Sequence, residues 1–363
     1  MNYKETLFFI AQCLTISFEE KNKEIVLIKL KSDEIDWDAV VKVSTSHYVF
    51  PALYCNLRRA GYLKYIPEEL VSYMKYITDL NREQNKQIIS QAKKINTLLI
   101  KNNIKPIFLK GTGNLLAKLY LDVAERMVGD IDFILSKQDY SRAIQILYEN
   151  GYEDVIEENY HFPTQKHYRR IKKKNNISAL EIHHDLLRKK YYSEFNYSII
   201  SKDIQNINGF NVLSYSNKLN LSIIADQIND YGYYLKRISL RNAYDVFLLS
   251  KKTNAKNCFI KFKKLQNPLN CFLAGCFLTF GKIDSLKYVK TIGTDRYLQQ
   301  FKSVINGKNI IKLKIKTLVI YFYKRFVIVQ KIFTKKEYRK WFINKILDKK
   351  WYQKKLFKFL NYK

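Results

Sequence analysis

The chain has 363 residues, enough for two domains or one domain with a large appendage. A 47% hydrophobic and 15% aromatic content excludes a disordered polymer, and no apolar run is long enough to span a bilayer. The net charge of +31 favours anionic partners, and it is concentrated at the end: residues 301–363 hold 19 Lys or Arg against Glu337 and Asp348.

Residues 1–100 read as helices. Apolar side chains recur at helical spacing through Leu7, Ile10, Ala11 and Leu14, and again from Leu70 through Met74, Ile77 and Leu80. Pro51 and Pro67 stand near helix starts, and a long polar-faced helix is expected from about Glu68 to Asn102. The character then changes. Ile107-Phe108-Leu109 is a short apolar strand that ends at Lys110-Gly111-Thr112-Gly113, with a helix following through Leu115, Leu116, Leu119 and Tyr120. A second strand covers Asp130–Leu135, and a helix over 137–150 ends at Gly151, which suits a cap. Residues 168–173 and 177–184 suggest a hairpin turning at Lys174-Asn175-Asn176, and helices return over 217–231, 237–252 and 269–281. The organisation is helical over 1–100, α/β over 101–215, and helical with a basic tail over 216–363: an α+β chain.

Three elements of the central segment carry candidate chemistry. At the first, a strand passes through glycines into a helix, where backbone N–H groups can meet a phosphate; Thr112 would add a hydroxyl and Lys110 a charge. The second is Gly129-Asp130-Ile131-Asp132-Phe133. Alternation puts both carboxylates on one strand face and Ile131, Phe133 and Leu135 on the other, so the acids can converge on divalent ions. The third is Glu181-Ile182-His183, where Glu181 and His183 share a face; a third acid on a neighbouring strand completes a two-metal site.

Leu109-Lys110-Gly111, Tyr120, Arg126-x-x-Gly129-Asp130-Ile131-Asp132 and Glu181-Ile182-His183 together resemble the uncharacterised nucleotidyltransferase family of the DNA polymerase beta-like superfamily. The flanks agree: Ile35-Asp36-Trp37, His47-Tyr48-Val49 and Pro51-Ala52-Leu53-Tyr54 before the core, and Asp226-Gln227 through Asp245 after it. The resemblance implies a minimal nucleotidyltransferase mixed sheet between helical regions. It implies two Mg²⁺ ions, or Mn²⁺ in their place, on Asp130, Asp132 and Glu181 as metal-binding and catalytic residues. Lys110, Gly111, Thr112 and Arg126 would bind the nucleoside triphosphate, ATP among the choices, and His183 would touch substrate. The reaction implied moves a nucleoside monophosphate to a hydroxyl-bearing acceptor that no residue names. Gln227 stands where the family often has histidine. A metal-dependent sugar-nucleotide glycosyltransferase also uses Asp-x-Asp, but normally builds a nucleotide-binding βαβ region before it. A non-catalytic nucleotide-binding protein of the same fold is the other alternative.

The remaining signals are weaker. His161, His167, His183 and His184 show no HxxxH or HExxH zinc spacing. Arg169, Arg170 and Lys172 to Lys174 read as a solvated hairpin edge. Five cysteines without CxxC pairing, and an N-terminus without a signal pattern, point to a reducing cytoplasm. The tail is open to an anionic polymer or to peripheral attachment at a membrane surface, or reflects compositional drift. Its aromatic residues (Trp341, Phe342, Trp351, Tyr352, Phe357, Phe359) mix with lysines around a single helical wheel, so partial packing on the helical domain is expected.

Overall fold

The computed structural model describes residues 1–32, 34–155, 167–187 and 189–347. Two compact units divide it: Met1–Val155 with Lys166–Asn309, and Ile156–Gln165 with Ile310–Lys363.

In the first unit, helices α1 (Tyr3–Cys13), α2 (Glu20–Lys31), α3 (Trp37–Ser46), α4 (Phe50–Arg59) and α5 (Glu68–Lys101) precede the sheet. Then come β1 (Ile107–Phe108), α6 (Lys110–Leu116), β2 (Asp130–Ile134), α7 (Lys137–Glu149), β3 (Tyr152–Asp154), β4 (Ile171–Lys173), β5 (Ala179–His183), α8 (Tyr197–Ile200), β6 (Ile204–Ile207) and β7 (Phe210–Leu213). Helices α9 (Tyr215–Ile224), α10 (Gly232–Leu235), α11 (Leu240–Ser250), α12 (Gln266–Thr279) and α13 (Ile292–Ile305) follow. The second unit contributes α14 (Ile310–Thr334) and α15 (Lys336–Ile346).

The expected α+β architecture is present. Among the described residues a seven-stranded mixed sheet runs β3-β4-β5-β2-β1-β7-β6. Its centre is the parallel pair β2–β5, in which Ile131 faces Leu180, Asp132 faces Glu181 and Phe133 faces Ile182. Ile131, Phe133, Leu180 and Ile182 are fully buried, so a one-residue slip in either strand would drive carboxylates into the core.

Three differences from the sequence reading have physical reasons. The β6–β7 hairpin, absent from that reading, turns on Asn208-Gly209 with φ of 51° and 82°, the left-handed pair that a two-residue hairpin loop requires. The helix expected through Tyr120 stops at Leu116, with Lys118 in the left-handed region (φ 51°). The helix expected over 217–231 changes to π-helical winding over Ala225–Asn229.

Part of the polar surface of α5 is turned inward. Asn81 Nδ2 donates to the carbonyl of Ala124 (2.7 Å), Gln84 Nε2 to that of Val128 (2.8 Å), and Gln91 Nε2 to that of Ser178 (2.8 Å). Buried loop carbonyls need partners. These amides supply them on the segments entering β2 and β5, and so anchor both acid-bearing strands to one long helix.

Candidate active site

Alternation on β2 and β5, with the register Asp132↔Glu181, sets three acids and an imidazole on one face of the sheet. Donor atoms of Asp132, Glu181 and His183 all lie within 4.8 Å of one another. Nε2 of His183 is 2.8 Å from Oδ1 of Asp132 and 3.6 Å from Oε2 of Glu181. His183 is only 4% exposed, and its Nδ1 has no hydrogen-bond partner among the described residues. Nε2 is therefore the atom that faces the carboxylates.

Two cations close the cluster. Lys110 Nζ donates to Oδ1 of Asp132 at 2.6 Å and to Oε2 of Glu181 at 3.3 Å. Lys110 holds φ 48°, a conformation that costs an L-residue about 1–2 kcal/mol and turns the chain from β1 into α6 beside the acids. Arg170 pairs with Asp130, and its Nε lies 3.4 Å from Oε1 of Glu181. The hairpin register explains Arg170: Ile171 faces Leu180, so Arg170 stands across from Glu181. It belongs to the cluster, not to the solvated edge the sequence reading gave it.

The electrostatics follow. Burial opposes the charge of Glu181, but neighbouring His183 and the ammonium of Lys110 outweigh it and hold the carboxyl well below the usual range. Burial also opposes the charge of Lys110, yet Asp132 and Glu181 raise it, so the ammonium stays charged. Asp130 is pushed upward, first by burial and also by the nearby charge of Glu181, against the pull of Arg170.

The other expected nucleotide contacts are placed differently. Thr112 is buried, and its Oγ1 donates to the backbone carbonyl of Asp130 at 3.0 Å, so the hydroxyl braces β2 against α6. A Cβ at Gly111 would come within 2.8 Å of Val128 Cγ2, and one at Gly113 within 2.6 Å of the Phe108 carbonyl oxygen. Close packing by itself requires both glycines. Among the described residues no side chain caps α6.

Arg126 pairs its charge with Asp245. Its Nε lies 3.1 Å from both carboxylate oxygens of Asp245, which also accepts from Tyr120 at 2.7 Å, and all three groups are buried. His184 pairs with Asp185 at 3.1 Å, His161 lies outside the described residues, and Gln227 is buried with Nε2 donating to Asp226 at 2.6 Å.

Two hard carboxylates and one imidazole at this spacing fit a divalent metal ion. The resemblance implied Asp130, Asp132 and Glu181 as the metal residues, with His183 touching substrate; the group whose donor atoms lie together here is Asp132, Glu181 and His183. A family model described as uncharacterised nucleotidyltransferase matches residues 33–278, more than half of the chain. The chain belongs to the uncharacterised nucleotidyltransferase family. Membership makes it a transferase and favours nucleotidyl transfer over the sugar-nucleotide alternative. No curated protein and no solved structure matches the chain. The matched span covers the whole acid cluster and ends before α13, leaving α14 and α15 outside the family region. Arg170 and His183 were the underread members of the site. The signals for them were the hairpin register and the shared face with Glu181.

Proposed function

We propose that the protein transfers a nucleoside monophosphate from a nucleoside triphosphate, ATP included, to a hydroxyl-bearing acceptor. The acceptor hydroxyl releases its proton to solvent, its oxygen bonds to the α-phosphorus, the bond from that phosphorus to the bridging oxygen breaks, and pyrophosphate leaves. The observation that carries this reading is the convergence of Asp132 and Glu181 with Lys110 at the β1–α6 turn.

Asp132 and Glu181 would hold the divalent metal with His183 as a nitrogen ligand, and Asp130, paired with Arg170 on the same face, would be the further carboxylate. When bound, two Mg²⁺ or Mn²⁺ ions supply charge neutralisation at the phosphates and acidify the attacking hydroxyl. Glu181, held well below the usual carboxyl range, serves as an ionised ligand more readily than as a proton acceptor. Lys110 and the first amides of α6, at Gly111 and Thr112, receive phosphate oxygens, which the absence of a side-chain cap supports. Arg126 positions the segment that enters β2 by its pair with Asp245. The core for this chemistry is residues 101–215. Five free, buried cysteines support a cytoplasmic setting.

The test is incubation with α-labelled nucleoside triphosphates, Mg²⁺ or Mn²⁺ and cell extract, in parallel with labelled sugar nucleotides. Label transfer from a triphosphate, with pyrophosphate release, is expected. Transfer from a sugar nucleotide alone would overturn the proposal, and triphosphate binding without any product would favour the non-catalytic reading.

A further inference from the structure

Helix α14 has no buried residue, although most of its side chains are apolar. Ile311, Ile315 and Leu318 recur eleven residues on as Phe322, Phe326 and Val329, and Phe333 opens a third repeat. Eleven residues at 100° each come within about 20° of three full turns. The seven side chains therefore form a nearly straight stripe along one side of the helix. Their exposure runs from 48% at Val329 to 76% at Ile311, and no charged residue interrupts them.

The rest of the helix surface is sorted as well. On helical geometry, Lys312 and Lys316 border the stripe on one side, and Lys314 and Arg325 on the other. Leu313, Ile320 and Val327 are half-buried on the side of Lys331, whose Nζ lies 3.1 Å from Tyr338 Oη on α15. Near its end the helix turns that side toward α15, and the stripe lies on the opposite side. The helix ends at Thr334 and α15 starts anew at Lys336, so Trp341 and Phe342 belong to a separate helix from the stripe. Trp351, Tyr352, Phe357 and Phe359 lie outside the described residues.

We infer that α14 lies in the plane of an anionic phospholipid surface, its stripe set among the acyl chains and its flanking lysines reaching up to the headgroups. Charge complementarity selects this occupant: residues 310–347 carry 11 Lys or Arg against Glu337 alone. A second copy would bring two such strongly basic surfaces together, which like-charge repulsion opposes. A nucleic acid backbone offers nothing to a row of Ile, Leu, Val and Phe. No helix among the described residues is long and apolar enough to cross a membrane, which leaves surface attachment.

The test is cosedimentation of the full-length protein with phosphatidylcholine vesicles, with and without phosphatidylglycerol. Binding is expected to be at least about tenfold tighter on the anionic vesicles and to weaken with salt. Phe322→Ser with Phe326→Ser should lose about tenfold or more at an unchanged melting temperature. Lys314→Gln with Arg325→Gln should lose a comparable factor on anionic vesicles only, and decides the matter if the phenylalanine pair fails to fold. Undiminished vesicle binding by a folded phenylalanine variant would overturn the inference. So would tighter binding to single-stranded RNA than to vesicles, or a solution dimer that the phenylalanine substitutions dissolve while vesicles remain unbound.

Discussion

Nζ of Lys110 lies 2.6 Å from Oδ1 of Asp132, the same oxygen that His183 Nε2 approaches at 2.8 Å. An ammonium so placed competes with a divalent ion for one carboxylate oxygen. Lys110→Met should therefore raise Mn²⁺ affinity in the absence of nucleotide by on the order of tenfold, measured by calorimetry. The same variant should lose about 100-fold or more in nucleotide transfer, because a phosphate-facing charge is gone. Weaker metal binding by Lys110→Met would place the lysine outside the competition.

The two strand acids differ in their partners, so they should differ in their losses. Asp132→Asn removes a donor from the group of three and should abolish measurable Mn²⁺ binding. Asp130→Asn, whose carboxylate is engaged by Arg170, should weaken it by about tenfold or less. Equal losses for the two substitutions would count against the assignment of Asp132, Glu181 and His183 as the primary ligands.

Arg126 and Asp245 form a buried pair with side-chain exposures of 8% and 2%. Taking away one partner strands the other charge in the interior. Arg126→Ala should lower stability by about 3–5 kcal/mol in denaturant titrations, while the folded protein keeps its triphosphate affinity. A variant of normal stability that has lost triphosphate binding would return Arg126 to the nucleotide.

Burial pushes the Asp226 carboxyl up to about 7, against the hydrogen bond from Gln227 and the charge of Arg237. With the folded value raised above the unfolded one, the unfolded chain binds fewer protons between the two. Stability should accordingly fall from about pH 4 to about pH 7 and level off above, by on the order of 4 kcal/mol. Asp226→Asn should flatten this slope in melting temperatures recorded from pH 5 to pH 8. An unchanged slope would show that Asp226 does not set it.

The acid face was legible in the sequence because strand alternation is local: Asp130 and Asp132, like Glu181 and His183, are separated by one apolar residue whose burial the fold requires. The pairing of Arg170 with Asp130 was less accessible, since it depends on hairpin register and on which strand adjoins β5. Asn208-Gly209 was a readable hairpin signal that helix-weighted periodicity passed over. Arg126 and Thr112 were read for their chemistry alone. Their partners, Asp245 at a separation of 119 residues and the carbonyl of Asp130, are set by tertiary packing that no local pattern encodes. The amides of α5 show the same limit, because a polar helix face reads as solvated until a loop carbonyl is placed against it.

The most direct measurement is transfer of α-labelled phosphate from nucleoside triphosphates in cell extract, by the wild type and by Asp132→Asn at equal folded concentration. The account predicts a divalent-ion-dependent labelled product and stoichiometric pyrophosphate with the wild type, and neither with Asp132→Asn. Full transfer by Asp132→Asn would contradict it.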